Sequence, residues 1–353
     1  MKEPKRHHHH SHHQHESQST GMVDPNKKKR GPRKKTVIII VCVILAIILA
    51  CGIGAYAYLH SLIGKTNQVK VDQSNLGIEK DYENIVNIAL YGIDSATGEG
   101  RSDAIIVLTL DKNHNKVKLT SFMRDSYVNI DGHGMDKLTH AYAYGGPELA
   151  MKTLNENFGL DISHFVSVDF SSLPQIIDQL GGVDVDLTQE EIDTGSIPNA
   201  TTPGTQTLNG DQALAYTRIR YASGNDFKRT ERQRTVLTAL VTKIIKQPAS
   251  TYPDLISQLA PLLTTNLSTN DILNLTSVYG SYAKQGIRQQ RFPLDDDCQG
   301  QTIDDVYYLT FDIPTEKEKI DAYIFHDQDP TTTQSSGTGA TTTDSSTATT
   351  TAN

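Results

Sequence analysis

NIVNIALYGIDSATGEGRSDAIIVLTLDKNHNKVKLTSF, residues 84–122, decides the fold. It contains three β-branched apolar runs, NIVNIALYGID (84–94), DAIIVLTLD (103–111) and KVKLTSF (116–122), separated by turn-forming Gly, Asn and Asp. These predict three consecutive strands. Outward from them, HFVSVDF (164–170) and VDVDL (183–187) read as strands, and SSLPQIIDQLGG (171–182) as a helix stopped by paired glycines. GPELAMKTLNENFG (146–159) reads as a helix covering Leu149 to Phe158, with Gly at its end. LNGDQALAYTRI (208–219) and TERQRTVLTALVTKIIKQ (230–247) are two more helices; the second repeats apolar residues at 236, 237, 240, 241, 244 and 245. A later strand, IRQQRFP, and the pair DVYYLTFDI with EKEKIDAYIF complete the region. Strands alternating with helices predict an α/β domain over 81–328, a layered sheet with helical cover.

Residues 36–59, TVIIIVCVILAIILACGIGAYAYL, carry no charge over 24 positions. At about 1.5 Å per residue that is ~36 Å of helix, enough to span a bilayer. The flank at 1–35 has a net charge of +7, which leaves −15 of the overall −8 for the rest. Positive charge stays inside, so 1–35 is expected in the cytoplasm and 60–353 outside, with 60–80 a linker. The apolar run is longer than a signal peptide's and follows a 35-residue leader, which favours an uncleaved anchor. The His-rich run His7–His15 reads as a disordered tail, with metal binding or an expression tag as the other readings. The Ser/Thr-rich tail over 329–353 has no apolar periodicity and is expected to be disordered. Cys42 and Cys51 lie in the apolar run and Cys298 is alone outside, so no intrachain disulfide framework is expected.

After residue 35 there are nine arginines, and five of them, Arg218, Arg220, Arg229, Arg232 and Arg234, fall within RIRYASGNDFKRTERQR. Such a cluster in an acidic region points to an anion. Arginine presents a planar fork that matches a phosphate edge and keeps its charge at physiological pH. Arg229, Arg232 and Gln233 are three and four residues apart, so they are expected on one face near a helix N-terminus, where the dipole also favours an anion. Solvated ion pairs such as Glu231 with Arg234 explain part of the cluster. Two further arginines accompany acids at strand ends: Asp94 after the first strand, Arg101 and Asp103 at the start of the second, Arg124 and Asp125 after the third. Ligands collect at strand ends in open α/β sheets. Carboxylates without a basic partner suit a hard cation such as Mg2+. The alternative for each single Asp is an Asx turn or a cap.

YGIDSATGEGRSDAIIVLTLD, SFMRDSYV, DKLTHAYAYGG, GGVDVDL and RIRYASGNDFKRTERQR, in this order after one N-terminal span, resemble the LytR-CpsA-Psr family of Gram-positive bacteria. The resemblance covers roughly 81–246. It implies an α/β/α sandwich with a mixed central sheet on the outer face of the membrane, preceded by one transmembrane helix. The implied activity is phosphotransfer of a glycopolymer from a polyprenyl pyrophosphate carrier to peptidoglycan, with release of polyprenyl phosphate. By motif, Asp94 and Asp103 would hold Mg2+ or Mn2+, and Arg101, Arg124, Arg218, Arg220, Arg229, Arg232 and Gln233 would surround the pyrophosphate. Catalysis would then rest on Asp94, Arg101, Asp103, Arg124, Arg218 and Arg220. Asp125 would hold one of the arginines, and Lys137, His140 and Tyr142 sit in the DKLTHAY motif, where His140 is a general base or a packed histidine that orients the loop. Apolar helices such as LPQIIDQL and TVLTALVTKII line a lipid groove or form core. Two other readings stay open: a non-catalytic binder or sensor of lipid-linked precursors, and a transcriptional attenuator. No nucleic-acid partner is expected, because KKKRGPRKK is explained by topology and anionic lipid.

Overall fold

The structure, a computed structural model, describes residues 54–94, 100–219, 225–247, 251–282 and 286–330. Arg220, the His-rich run, most of the apolar stretch 36–59 and the tail from 331 lie outside the described residues. Among the described residues no helix is long and apolar enough to cross a membrane.

After a helical stretch over 54–63, the edge strand β1 (Asn67–Gln68) precedes β2 (Ile85–Asp94), β3 (Arg101–Asp111) and β4 (Lys116–Phe122). The hairpin β5 (Tyr127–Ile130) and β6 (Gly134–Lys137) leads into α1 (Leu138–Phe158). Next come β7 (His164–Asp169), α2 (Leu173–Gln179), β8 (Val183–Leu187), α3 (Gln189–Asp193), β9 (Gly204–Leu208), α4 (Gly210–Thr217) and α5 (Asn225–Ile245). The chain continues through α6 (Tyr252–Leu259), β10 (Leu263–Thr265), α7 (Thr269–Tyr282) and β11 (Ile287–Phe292) to the hairpin β12 (Cys298–Ile303) and β13 (Val306–Phe311), then α8 (Ile313–His326).

Seven strands form one mixed sheet in the order β1-β10-β7-β2-β3-β4-β11. The meander β2-β3-β4 is antiparallel, while β7 lies parallel to β2 and β11 parallel to β4. Helices cover both faces, which explains the unbroken apolar run Ala104–Leu108 at the centre of β3: Ile105 and Val107 enter a core with α1 and α8, and Ala104, Ile106, Leu108 and Leu110 enter another with α2, α4 and α5. The period of two sends alternate residues to opposite layers. Each such side chain contributes about 1.5–3 kcal/mol relative to exposure. α1 is kinked at Gly145 and Gly146 ahead of Pro147, and it ends at Gly159 in the left-handed conformation, whose N–H donates to the Asn155 carbonyl at 2.8 Å. The expected glycine stop is therefore a C-cap.

Residues 60–80, expected as a linker, are instead part of the domain. Leu62, Ile63 and Leu76 are buried, β1 adds to the sheet edge beside β10, and Asn155 Nδ2 donates to the Leu76 carbonyl at 2.8 Å. Three buried apolar side chains fasten a stretch whose polar composition hid them. Lys118, fully buried in the middle of β4, donates to the Tyr323 and Ile324 carbonyls at 2.8 and 3.0 Å. These lie in the last turn of α8, so the ammonium caps carbonyls the helix leaves unsatisfied.

Candidate active site

One end of the sheet gathers the C-terminal ends of β2, β4 and β7 with the start of β3, because β3 alone among these four runs the other way. A cleft of about 220 Å3 opens there, lined by Asp94, Asp103, Phe170, Thr217, Arg218, Arg229 and Gln233. Carboxylates from the sheet thus face guanidinium and amide groups from the helical layer.

A bulge aims the two carboxylates. In the β2/β3 pairing Gly92 is opposite Ala104, but Ile93 is opposite Ser102 and Asp94 opposite Arg101, so Asp103 is the residue without a partner in the register. In regular alternation Asp103 shares the face of Ile105, on the layer of α1 and α8. The extra residue restores Asp103 to the face of Ala104 and places it in the cleft with Asp94; bulges beside functional sites characteristically redirect a side chain. Gly92 lies on that same face: a Cβ there would sit 2.9 Å from Phe170 Cζ, so only Gly lets the Phe170 ring approach the cleft.

Asp103 does not meet the expectation of a carboxylate without a basic partner. Its Oδ1 accepts from Arg124 Nη1 at 2.8 Å. Arg124 also donates through Nε to Asp125 at 3.3 Å, and Asp125, nearly buried, pairs with Lys137 at 2.9 Å. Arg124 is thus held at the cleft margin by two acids, while Arg101, half-buried, starts β3 beside Asp94.

The helical side corrects the reading of the arginine cluster. α5 begins at Asn225, so Arg229 falls in its second turn and not at its N-terminus, and the dipole effect has largely decayed there. Arg229 and Gln233, four apart, do share a face and both line the cleft. Arg232 is turned about 100° from Gln233. It is 3% exposed, donates through Nη2 to the Ile219 carbonyl at 2.9 Å and pairs through Nη1 with Glu191 at 3.4 Å. Arg232 therefore does not line the cleft. It clamps the segment carrying Arg218, and Glu191, in the capping box of α3 with Thr188, completes the clamp. Glu191 was missed in the sequence; the signal was TQEE, a Thr with Glu three residues on. Tyr142, its hydroxyl 3.2 Å from Ser167 Oγ, packs away from the cleft residues against Tyr91, and His140 is paired with Asp136 at 2.9 Å.

Gln233 lines the cleft, and its Oε1 is buried with no hydrogen-bond partner among the described residues. For a cation the donors are the right kind, two carboxylates on one cleft. Among the described residues no group of three or more His, Cys, Asp or Glu makes a closed metal cage. Two carboxylates are within what Mg2+ takes from a protein when phosphate oxygens and water complete its shell.

Fold and cleft define an α/β domain with a cleft at the end of a mixed sheet that brings two carboxylates together with two arginines. The LytR_cpsA_psr family model matches residues 55–322, and the chain belongs to that family. The chain is 32% identical over 284 residues to the polyisoprenyl-teichoic acid–peptidoglycan teichoic acid transferase TagU of Enterococcus faecalis, covering 74% of this chain and 90% of that protein. It is 33% identical over 251 residues to TagT of Bacillus subtilis, an enzyme of the same description, covering 65% and 76%. Among solved structures, TagT bound to LIIa-WTA aligns with a TM-score of 0.59 at 27% identity over 72% of this chain and 99% of that one. A second, TagT with bound octaprenyl pyrophosphate lipid, aligns with a TM-score of 0.56 at 26% identity over the same shares.

Proposed function

We propose that this chain transfers an anionic wall glycopolymer of the teichoic acid class from a polyprenyl pyrophosphate carrier to peptidoglycan. The observation that carries the reading is the convergence of Asp94, Asp103, Arg218, Arg229 and Gln233 on one cleft. The names of TagU and TagT and the lipid pyrophosphate bound to a structural relative support it.

A pyrophosphate between lipid and glycan is charged on both phosphates and repels an incoming hydroxyl. Arg218 and Arg229 offset that charge and stabilise what develops on the transferring phosphoryl group. Gln233 adds a neutral amide, and Arg124 fixes the Asp103 carboxylate. An acceptor sugar oxygen forms a bond to the glycan-side phosphorus, the bond from that phosphorus to the bridging oxygen breaks, and polyprenyl phosphate leaves. The acceptor proton passes to solvent or a base, and a phosphodiester remains. No nucleotide is needed, because the pyrophosphate bond drives transfer. We assign a Mg2+ or Mn2+ ion to Asp94 and Asp103; when bound it supplies Lewis-acid neutralisation of phosphate charge. The apolar stretch 36–59 is proposed as a single anchor with 1–35 cytoplasmic, which keeps the cleft outside the cell and near a membrane-borne carrier.

The test supplies full-length protein in detergent with a lipid-linked glycopolymer, peptidoglycan and Mg2+. Polyprenyl phosphate release and glycopolymer on the wall are expected. Both fall by at least about a hundredfold, roughly 2.7 kcal/mol of transition-state stabilisation, in Arg218→Ala. Donor binding without release refutes transfer and leaves a binding protein.

A further inference from the structure

The β5–β6 hairpin and the first turns of α1 carry an exposed aromatic cluster that the cleft chemistry does not use. Tyr144 is 47% exposed, and His133 stacks on it with ring centres 4.2 Å apart and planes 12° from parallel. His133 stands at the hairpin tip between Gly132 and Gly134, whose φ angles of 76° and 77° give the turn that folds the imidazole back onto Tyr144. Asp136, His140 and Tyr144 are four residues apart in sequence, and Asp136 Oδ2 accepts from the Tyr144 hydroxyl at 2.6 Å and contacts His140 Nδ1 at 2.9 Å. That carboxylate pushes the Tyr144 hydroxyl up to about 12, so the phenol stays a proton donor. The ring is therefore held still although much of it faces water.

The cluster is joined to the cleft. Thr139, next to His140, donates through its hydroxyl to the Ser102 carbonyl at 2.9 Å and through its N–H to the Arg124 carbonyl at 3.0 Å. Lys137 lies 5.7 Å from the Tyr308 ring centre and pairs with Asp125, which pairs with Arg124. One turn of α1 thus separates the aromatic stack from the residues beside Asp103.

A flat apolar ring rimmed by a carboxylate and an imidazole matches a pyranose, which has a C–H face and a rim of hydroxyls. A peptide would need an apolar pocket for a side chain, and an anionic lipid would need a basic patch; here the rim carries Asp136. Fixed aromatic rings also bind at low entropic cost. We infer that the His133–Tyr144 stack, with Asp136 and His140 at its edge, is a pyranose subsite that seats the acceptor glycan beside the cleft. The assignment of the sugar to the acceptor rests on the transfer reaction proposed above.

The experiment titrates full-length protein in detergent with a soluble tetrasaccharide of alternating N-acetylglucosamine and N-acetylmuramic acid, by calorimetry, and separately with inorganic pyrophosphate and Mg2+. Tyr144→Ala is expected to weaken tetrasaccharide binding about tenfold, and Tyr144→Phe, which keeps the ring and loses the Asp136 tether, about twofold to threefold. Pyrophosphate binding stays at the wild-type value in both variants. Wild-type tetrasaccharide affinity in Tyr144→Ala overturns the subsite, as does equal loss of pyrophosphate binding, which marks a general distortion. In the transfer assay the subsite predicts a raised KM for acceptor with little change in kcat. Tetrasaccharide binding that depends on Tyr144 in a chain that shows no transfer supports the subsite while refuting transfer.

Discussion

Arg232→Met separates the two roles open to this arginine. The guanidinium is 3% exposed and serves both the Ile219 carbonyl and Glu191. Removing it leaves the Glu191 carboxylate buried with one partner fewer; breaking a buried pair from one side costs about 3–5 kcal/mol. The Ile219 carbonyl also loses a charge-assisted hydrogen bond worth about 1.5–3 kcal/mol. These overlap, since one group makes both contacts, so a total of about 3–5 kcal/mol is expected. At roughly 2–4 °C per kcal/mol for a domain of this size, the Tm falls by about 6–20 °C. Glu191→Gln in the same background recovers part of the loss, with a coupling of about 1–3 kcal/mol, because no buried charge remains to be matched. Arg218→Ala, at an exposed position, leaves the Tm unchanged within about 1–2 °C yet weakens pyrophosphate binding at least about tenfold. Differential scanning fluorimetry and calorimetric titration with pyrophosphate and Mg2+ read both quantities on full-length protein. Arg232→Met with a wild-type Tm and the binding defect of Arg218→Ala would refute the clamp and return Arg232 to the ligand.

Gly92→Ala drives a Cβ to within 2.9 Å of Phe170 Cζ, so the ring must move into the cleft; transfer should fall several-fold at a stability cost of about 1–3 kcal/mol, and unchanged kinetics would show that Phe170 does not shape the site. EDTA is expected to abolish transfer, and Asp94→Asn to raise the Mg2+ concentration for half-maximal rate about tenfold; a rate indifferent to chelation removes the cation from the reaction. Burial and the neighbouring Asp297 push the Glu316 carboxyl up to about 7 from an ordinary 4.5. The folded state then binds more protons than the unfolded one between these values, so Glu316 contributes stability that is complete below pH 4.5 and is lost by about pH 7. Glu316→Gln should flatten the Tm profile over that window, and an unaltered slope assigns the dependence to other groups.

The strands and the cleft differ in how far the sequence discloses them, for a physical reason. Burial on both faces makes β2 and the centre of β3 apolar whatever their partners, and a helix stripe such as 236, 237 and 240 announces its face through the local period. Residues 60–80 escape that logic, because a two-residue strand pairs through backbone groups common to every residue and the apolar residues there, Leu62, Ile63, Val69, Val71, Leu76 and Ile78, are scattered among polar ones. In the cleft, chemistry is legible and direction is not. The arginines cluster visibly, but whether Arg229 or Arg232 faces the ligand depends on which way α5 rolls, and the stripe does not decide it: Arg229 and Arg232 lie seven and four residues before Val236 and both are buried, and the packing of α5 sends Arg229 to the cleft and Arg232 to Glu191 and Ile219. Asp103 is the harder case. Its neighbours read as a regular strand, and only the mismatch of registers on either side of Gly92 shows that an extra residue is present. A bulge is a relation between two strands, so neither strand encodes it alone, and the carboxylate it turns toward Asp94 is the one whose ion pair with Arg124 ties the cleft to the aromatic cluster of α1.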